Sequence, residues 1–206
     1  MPPFVLLLGA VLLVGFLPTS AVAATADDRA TVGRDGVARA FPLPGGASYG
    51  SAHHDYPATD IFAPCGARVV APVDGVVLEL SREDRWSSAT NRGAQRGGKF
   101  FSIAGDDGVR YYGSHLRRVR PKVVVGMRVQ AGMVIGRNGR TGSAAGTPCH
   151  LHFGLSPVCA GTRDWWTRRG VVSPYEFLRS WERDGSRSPK RAVRGWKRTH
   201  GCPQAP

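Results

Sequence analysis

From residue 41 onward the apolar residues come in short runs, and Gly, Pro, Asn or Asp breaks each run within a few positions. A helix bundle needs long stretches with a 3.6-residue period, so this punctuation argues against one and favours many short strands joined by turns. Gly (27) and Pro (15) make up about one residue in five of the 206 and supply those turns. Arg68 to Leu80 reads as β-rich, interrupted at Pro72 and at Asp74-Gly75, a hairpin signal. Lys99 to Ala104 and Val109 to Leu116 flank Gly105-Asp106-Asp107-Gly108 and read as a second hairpin. Met127 to Gly136 holds two short strand pieces around Gly132, and Cys149 to Leu155 is a further strand. The polar, Gly-rich stretch Arg82 to Gly98 reads as a long surface loop, of the kind that walls a site. One helix is signalled, with Ser173 as N-cap, Pro174 at the first helical position and Glu176 completing a capping box; Phe177, Leu178 and Trp181 share one face. The expected fold class is mainly β: an antiparallel, sandwich-like sheet domain with one C-terminal helix.

The N-terminus points to export. Phe4 to Leu17 is an apolar run of 14 residues, short for a membrane span, which needs about 20. Ala21-Val22-Ala23 follows, so residues 1–23 read as a secretory signal cut after Ala23, although Met1-Pro2-Pro3 lacks a basic side chain. No later segment could span a membrane. Residues 24–40 are small, polar and aperiodic and read as a linker; 41–182 is the folded domain, and 183–206 a tail. The formal charge is +13, and the tail holds seven basic side chains against Asp184 alone. Such a tail suits anionic wall polymers, or it is a solvated aid to solubility. Four cysteines in an exported chain suggest two disulfides, with three pairings open.

The chemistry lies in the histidines. In Cys149-His150-Leu151-His152-Phe153, strand alternation puts His150 and His152 on one face and Leu151 and Phe153 on the other. Two imidazoles so placed suit a metal with a proton-transfer group, yet H-x-H alone is common on strand surfaces. His53-His54-Asp55-Tyr56-Pro57-Ala58-Thr59-Asp60 offers imidazole and carboxylate a few residues apart. Zinc accepts His nitrogen and Asp oxygen, and a catalytic zinc keeps one position for water. His115 closes the strand Tyr111-Tyr112-Gly113-Ser114-His115-Leu116. There is no H-E-x-x-H, so proton transfer would fall to His. Gly136 to Gly142 lacks the phosphate-loop pattern and reads as a turn, and no C-x-x-C supports a zinc ribbon.

These three pieces occur in the order of the lysostaphin/LytM-like zinc endopeptidases, which cut peptidoglycan peptides, and the sequence resembles that family over about residues 41–158. The strand Tyr111 to Leu116, the pieces Gly126 to Val129 and Gly132 to Gly136, and Gly139-Arg140-Thr141-Gly142 before His150-Leu151-His152-Phe153 are in register with it. The resemblance implies Zn2+ held by a His of the first motif, by Asp60 and by His152, with His115 and His150 as the catalytic pair. It implies a secreted, cell-envelope enzyme that hydrolyses stem or bridge peptides through a zinc-activated water, with no specific nucleic-acid partner. The first motif departs from the family's H-x-x-x-D, because five residues separate His54 from Asp60 and six separate His53 from it. The shorter gap favours His54 as the ligand, with His53 behind it or facing substrate. Gly113 also stands where the family often has Tyr.

The rival within this fold is a catalytically silent regulator of another wall hydrolase, although such proteins typically lack a ligand. A wall- or nucleic-acid-binding module driven by charge alone leaves the ordered His and Asp unexplained. The preferred disulfides are Cys149–Cys159, a short bridge pinning the strand that carries both His, and Cys65–Cys202, tying the tail back. A Cys149–His150 dyad is disfavoured, since strand neighbours point to opposite faces.

Overall fold

Short apolar runs become strands in the computed structural model, which describes residues 30–159 and 164–203. The signal read at 1–23 lies outside those residues. In chain order the strands are β1 (Thr31–Val32), β2 (Ala38–Arg39), β3 (Ser48–Tyr49), β4 (Thr59–Phe62), β5 (Arg68–Val70), β6 (Gly75–Ser81), β7 (Phe100–Gly105), β8 (Val109–Ser114), β9 (Arg118–Val119), β10 (Arg128–Val129), β11 (Val134–Arg137) and β12 (His150–Pro157). The helices are α1 (Trp165–Arg168), α2 (Tyr175–Trp181) and α3 (Lys190–His200). A seven-stranded sheet runs β10-β6-β7-β8-β12-β4-β3, and a three-stranded sheet runs β5-β11-β9. All the pairings are antiparallel. The fold class is therefore the expected one, mainly antiparallel β with few helices.

β12 organises the molecule. All eight of its residues are buried, and it pairs with β8 on one side and β4 on the other. Leu151, Phe153 and Leu155 point into the core with Ile61, Phe101, Ile103 and Tyr111. Phe177, Leu178 and Trp181 of α2 close that side, with the Trp181 ring 6.3 Å from Phe153 and 6.1 Å from Tyr111. Burying an aromatic or branched aliphatic side chain stabilises by roughly 1.5–3 kcal/mol, so this cluster is the main source of cohesion. The second sheet adds Val69 and Ile135 to the same core.

Several local expectations change. The β7–β8 hairpin forms as read, with Gly108 at φ +77°. Asp74-Gly75 does not make a hairpin: β5 pairs with β11, while β6 pairs with β7 and β10. Neither Asp74 nor Gly75 adopts the positive φ that a two-residue turn requires. The Asp74 side chain instead accepts the Ala131 N–H at 2.8 Å, and the chain crosses between sheets there. The capping box is also absent. Pro174, not Ser173, precedes α2, no side chain caps it, and Glu176 pairs with Arg187 at 3.2 Å.

Residues 31–39, expected to be linker, form the β1–β2 hairpin. Arg39 is fully buried and bonds Asp35 (3.0 and 2.7 Å), Asp107 (2.7 Å) and Ser188 (3.0 Å). Asp107 also accepts the Tyr111 hydroxyl at 2.6 Å. A guanidinium buried with two carboxylates thus joins the hairpin, the β7–β8 turn and the segment before α3. The tail contains the 11-residue α3, and its Val193 enters the core.

The cysteines pair as Cys65–Cys149 and Cys159–Cys202, not as expected. The reason is strand length. Cys149 and Cys159 flank the extended β12, whose eight residues span about 26 Å at ~3.3 Å each. A disulfide needs Cα atoms within about 7 Å. Cys65 and Cys149 instead lie just past the same end of the β4–β12 pair, and the tail is tied down through Cys159.

Candidate metal centre

The register of β12 against β4 sets His152 opposite Asp60, and the register against β8 sets it opposite Ser114. Cross-strand partners share a face, so His150, His152 and Asp60 converge on the side away from Leu151 and Phe153. His152 Nδ1 is 3.0 Å from Asp60 Oδ1, and His150 Nε2 is 4.0 Å from the same oxygen. The first motif reaches the centre through a turn in which the His53 N–H bonds the Ala58 carbonyl at 3.1 Å. The turn absorbs the extra residues and returns His53 Nε2 to 3.8 Å from Asp60 Oδ2. The His53 and His152 rings meet edge to face at 5.1 Å.

His54 lies outside this arrangement. Its ring stacks on His53 at 4.3 Å, and its Nδ1 faces Asp55 at 3.8 Å. Its side chain is 78% exposed, against 11% for His53. One ligand atom each from His53, His54 and Asp60 still falls within 4.8 Å of the others, so reach alone does not separate the two histidines.

Hydrogen bonds fix the tautomers, because a carbonyl can only accept. His115 Nδ1 is 2.8 Å from the Thr141 carbonyl, and His150 Nδ1 is 2.9 Å from the Pro148 carbonyl. Each Nδ1 therefore holds its proton, and each Nε2 keeps a lone pair. The two rings lie 4.9 Å apart. His115 adopts φ +66°, a strained conformation for a non-glycine, held by bonds of its N–H to Gly97 O and of its carbonyl to Thr141 N–H. His152 is reversed: its Nε2 donates to the Arg169 carbonyl at 2.9 Å, and its Nδ1 faces the Asp60 carboxylate.

A proton or a cation between Nδ1 and the carboxylate oxygen holds the two atoms 3.0 Å apart. Two ligands of a tetrahedral zinc, each about 2.0–2.2 Å from the ion, stand about 3.3–3.5 Å apart, so the pair is close to zinc geometry. Charge agrees. Burial opposes ionisation of Asp60, but the His152 hydrogen bond and the surrounding imidazoles bring its pKa down to about 2. Burial, with the charge of His152, lowers His53 to about 4; burial, with His152 and His150, lowers His115 to about 3. Among the described residues no Lys or Arg pairs with Asp60, and His53 Nδ1 is buried without a partner. One carboxylate among imidazoles is a donor set for a divalent cation such as zinc.

The centre lies in a groove of about 500 Å³, walled by Asn91 to Gly97 of the long loop, by Ser143 to Pro148 and by Trp165 to Arg169. The loop read as a wall is thus one. Sequence reasoning gave no role to Tyr56 or Arg169. Tyr56 sits inside the first motif, with its hydroxyl 3.4 Å from His152 Nε2. Arg169 has no local signal, because only the fold brings it to the groove. Gly113, the departure from the family pattern, leaves room for Phe101: a Cβ there would stand 2.4 Å from that ring.

Comparison with known proteins agrees with this geometry. Residues 54–162 match peptidase family M23. The structure is similar to that of the antimicrobial peptidase lysostaphin from Staphylococcus simulans, with 28% identity and a TM-score of 0.50, over 66% of this chain and 49% of that one. It is also similar to LytM from Ruminococcus gnavus, with 25% identity and a TM-score of 0.55, over 73% of this chain and 62% of that one. The chain therefore spans about half of that lysostaphin chain. No curated protein matches it in sequence. Zinc is the metal of the matched family's peptidases, and the donor set here fits it. The family match covers more than half of the residues and includes Asp60, His115, His150 and His152, and on that ground the chain belongs to peptidase family M23.

Proposed function

We propose that the protein is a secreted zinc metalloendopeptidase of the cell envelope that hydrolyses peptide cross-links of bacterial peptidoglycan. The observation that carries this is the convergence of His152 Nδ1 and the ionised Asp60 at 3.0 Å, with His53 3.8 Å from the same carboxylate. His53, Asp60 and His152 would hold zinc, in place of the set containing His54 favoured by the shorter gap. When bound, zinc lowers the pKa of a coordinated water to about 7 and polarises a carbonyl. His150 and His115 present unprotonated Nε2 atoms to the groove, with their Nδ1 protons locked on carbonyls. One takes a proton from the attacking water, and the pair in its protonated form supports the developing oxyanion and returns the proton to the leaving amine. Export is supported by the N-terminal apolar run and by two disulfides, which persist in oxidising compartments. Among the described residues no helix is long and apolar enough to cross a membrane. Arg191, Arg194, Lys197 and Arg198 are exposed on α3, which carries no acidic residue, and this supports attachment to anionic wall polymers.

The test is zinc content together with digestion of purified peptidoglycan. About one zinc per chain and new free amines are expected for the wild type, and neither for His152→Ala. Absence of both in the wild type, with wall binding intact, overturns the enzyme and leaves a silent regulator. Salt-dependent wall binding that survives neutralisation of the four α3 cations would remove the attachment role.

A further inference from the structure

Beside the His/Asp cluster the groove holds an arginine with no carboxylate in salt-bridge contact among the described residues. Arg169 follows α1, and its carbonyl takes the bond from His152 Nε2 at 2.9 Å, so its backbone is tied to the centre. Its guanidinium carbon lies 3.9 Å above the Tyr56 ring and 3.8 Å from the centroid of the Trp166 ring. Tyr56 packs in turn on His53, with ring centroids 4.5 Å apart. Ring contacts engage the flat face of a guanidinium and leave its edge donors for hydrogen bonds.

Those donors lack an acid. Among the described residues no carboxylate lies within salt-bridge distance of Arg169, and its Nε is buried without a partner. The buried arginines differ from this half-buried one: Arg39 has Asp35 and Asp107, Arg110 has Asp164, and Arg168 has Glu79. Asp55 lines the same groove but is exposed and faces His54. Arg96, also on the groove, bonds the neutral Asn91. Burial lowers the pKa of Arg169 and the Arg96 charge adds to this, outweighing the opposing effects of Tyr56 and of the more distant Asp55. An oriented cation, short of a counter-ion and one tyrosine ring away from the metal centre, is built to receive an anion.

We infer that the edge of Arg169 is a carboxylate-binding subsite, which selects peptides with a free carboxylate next to the scissile bond over uncharged glycine bridges. A planar carboxylate matches the guanidinium fork with two parallel hydrogen bonds. The inference rests on the peptidase reading above. It does not require the reaction to be fast, only the peptide to bind in the groove.

The experiment uses the zinc-loaded protein and three synthetic peptides cut at one bond. One is free, one has its terminal carboxylate amidated, and one has the side-chain carboxylate next to the scissile bond amidated. Hydrolysis is followed as kcat/KM, and binding through the fluorescence of Trp165 and Trp166. A charge-assisted bidentate contact predicts at least about tenfold preference for the free peptide, lost with one of the two amides, which identifies the carboxylate read. Arg169→Gln should bring the ratio near one, chiefly through KM, and Arg169→Lys should restore it only in part. Equal handling of all three peptides by the wild type overturns the subsite. So does a preference that persists in an Arg169→Gln protein with unchanged zinc content and melting temperature. A carboxylate preference in binding without any cleavage sinks the peptidase reading and leaves the subsite standing. Cleavage without preference does the reverse.

Discussion

Replacing Asp107 by Asn should destabilise the protein by about 2.5–4 kcal/mol, although the two side chains are nearly isosteric. The Asp107 side chain is fully buried and accepts three bonds: from Arg39 at 2.7 Å, from the Tyr111 hydroxyl at 2.6 Å and from the Val109 N–H at 3.1 Å. An asparagine keeps one oxygen, which suffices for Val109. Its amide then points donors at two donors. Losing a charge-assisted bond to Arg39 costs about 1.5–3 kcal/mol and losing the tyrosine bond about 1. The sum agrees with the roughly 3–5 kcal/mol typical of a broken buried ion pair, and it falls in the lower part because Asp35 still holds Arg39 by two bonds. For a domain of this size that is a fall in melting temperature of roughly 6–15 °C. Calorimetry and urea titration at neutral pH measure it, and the m-value should not change. The double replacement Arg39→Met with Asp107→Leu should recover much of the loss, since no buried charge is then left alone. A fall below about 2 °C for Asp107→Asn would show that the network is not what fastens the hairpin and the tail segment to the β7–β8 turn.

His53→Ala should abolish zinc binding while His54→Ala retains it, read by metal content after dialysis; the opposite result would restore the shorter-gap ligand. Phe153→Ala, a truncation at a fully buried position, should cost about 3–5 kcal/mol by denaturant titration. Removing Cys65–Cys149, with sequence separation 84, should cost about 4–5 kcal/mol on the chain-entropy account, and removing Cys159–Cys202, with separation 43, about 0.6 kcal/mol less. The hydrogen bond from Arg39 holds the Asp35 carboxyl well below its ordinary range. A carboxyl depressed in the folded state contributes stability that is complete above its unfolded pKa, near 4, and is lost as pH falls below it. Acid titration of melting temperature should therefore show a steeper loss below about pH 4 in the wild type than in Asp35→Asn.

The sequence alone determined what depends on neighbouring residues. Strand alternation put His150 and His152 on one face and Leu151 and Phe153 in the core, and turn residues marked the β7–β8 hairpin. The polar composition of residues 82–98 marked a wall of the groove. Ladder partners are not local, which is why Asp74-Gly75 read as a hairpin although β5 and β6 belong to different sheets. The disulfides failed for the same reason: a short sequence gap looked close, yet the extended β12 carries its two ends far apart. The buried Arg39 network hid in a polar stretch because a charged residue looks solvated until the fold supplies its acids. The tertiary structure decided which histidine faces Asp60, since the turn closed by His53 N–H and Ala58 O swings His53 inward and leaves His54 in solvent. It alone brought Arg169 to the groove, from 109 positions beyond Asp60 in the chain. Local pattern fixes which face a side chain takes; long-range pairing decides what it meets there.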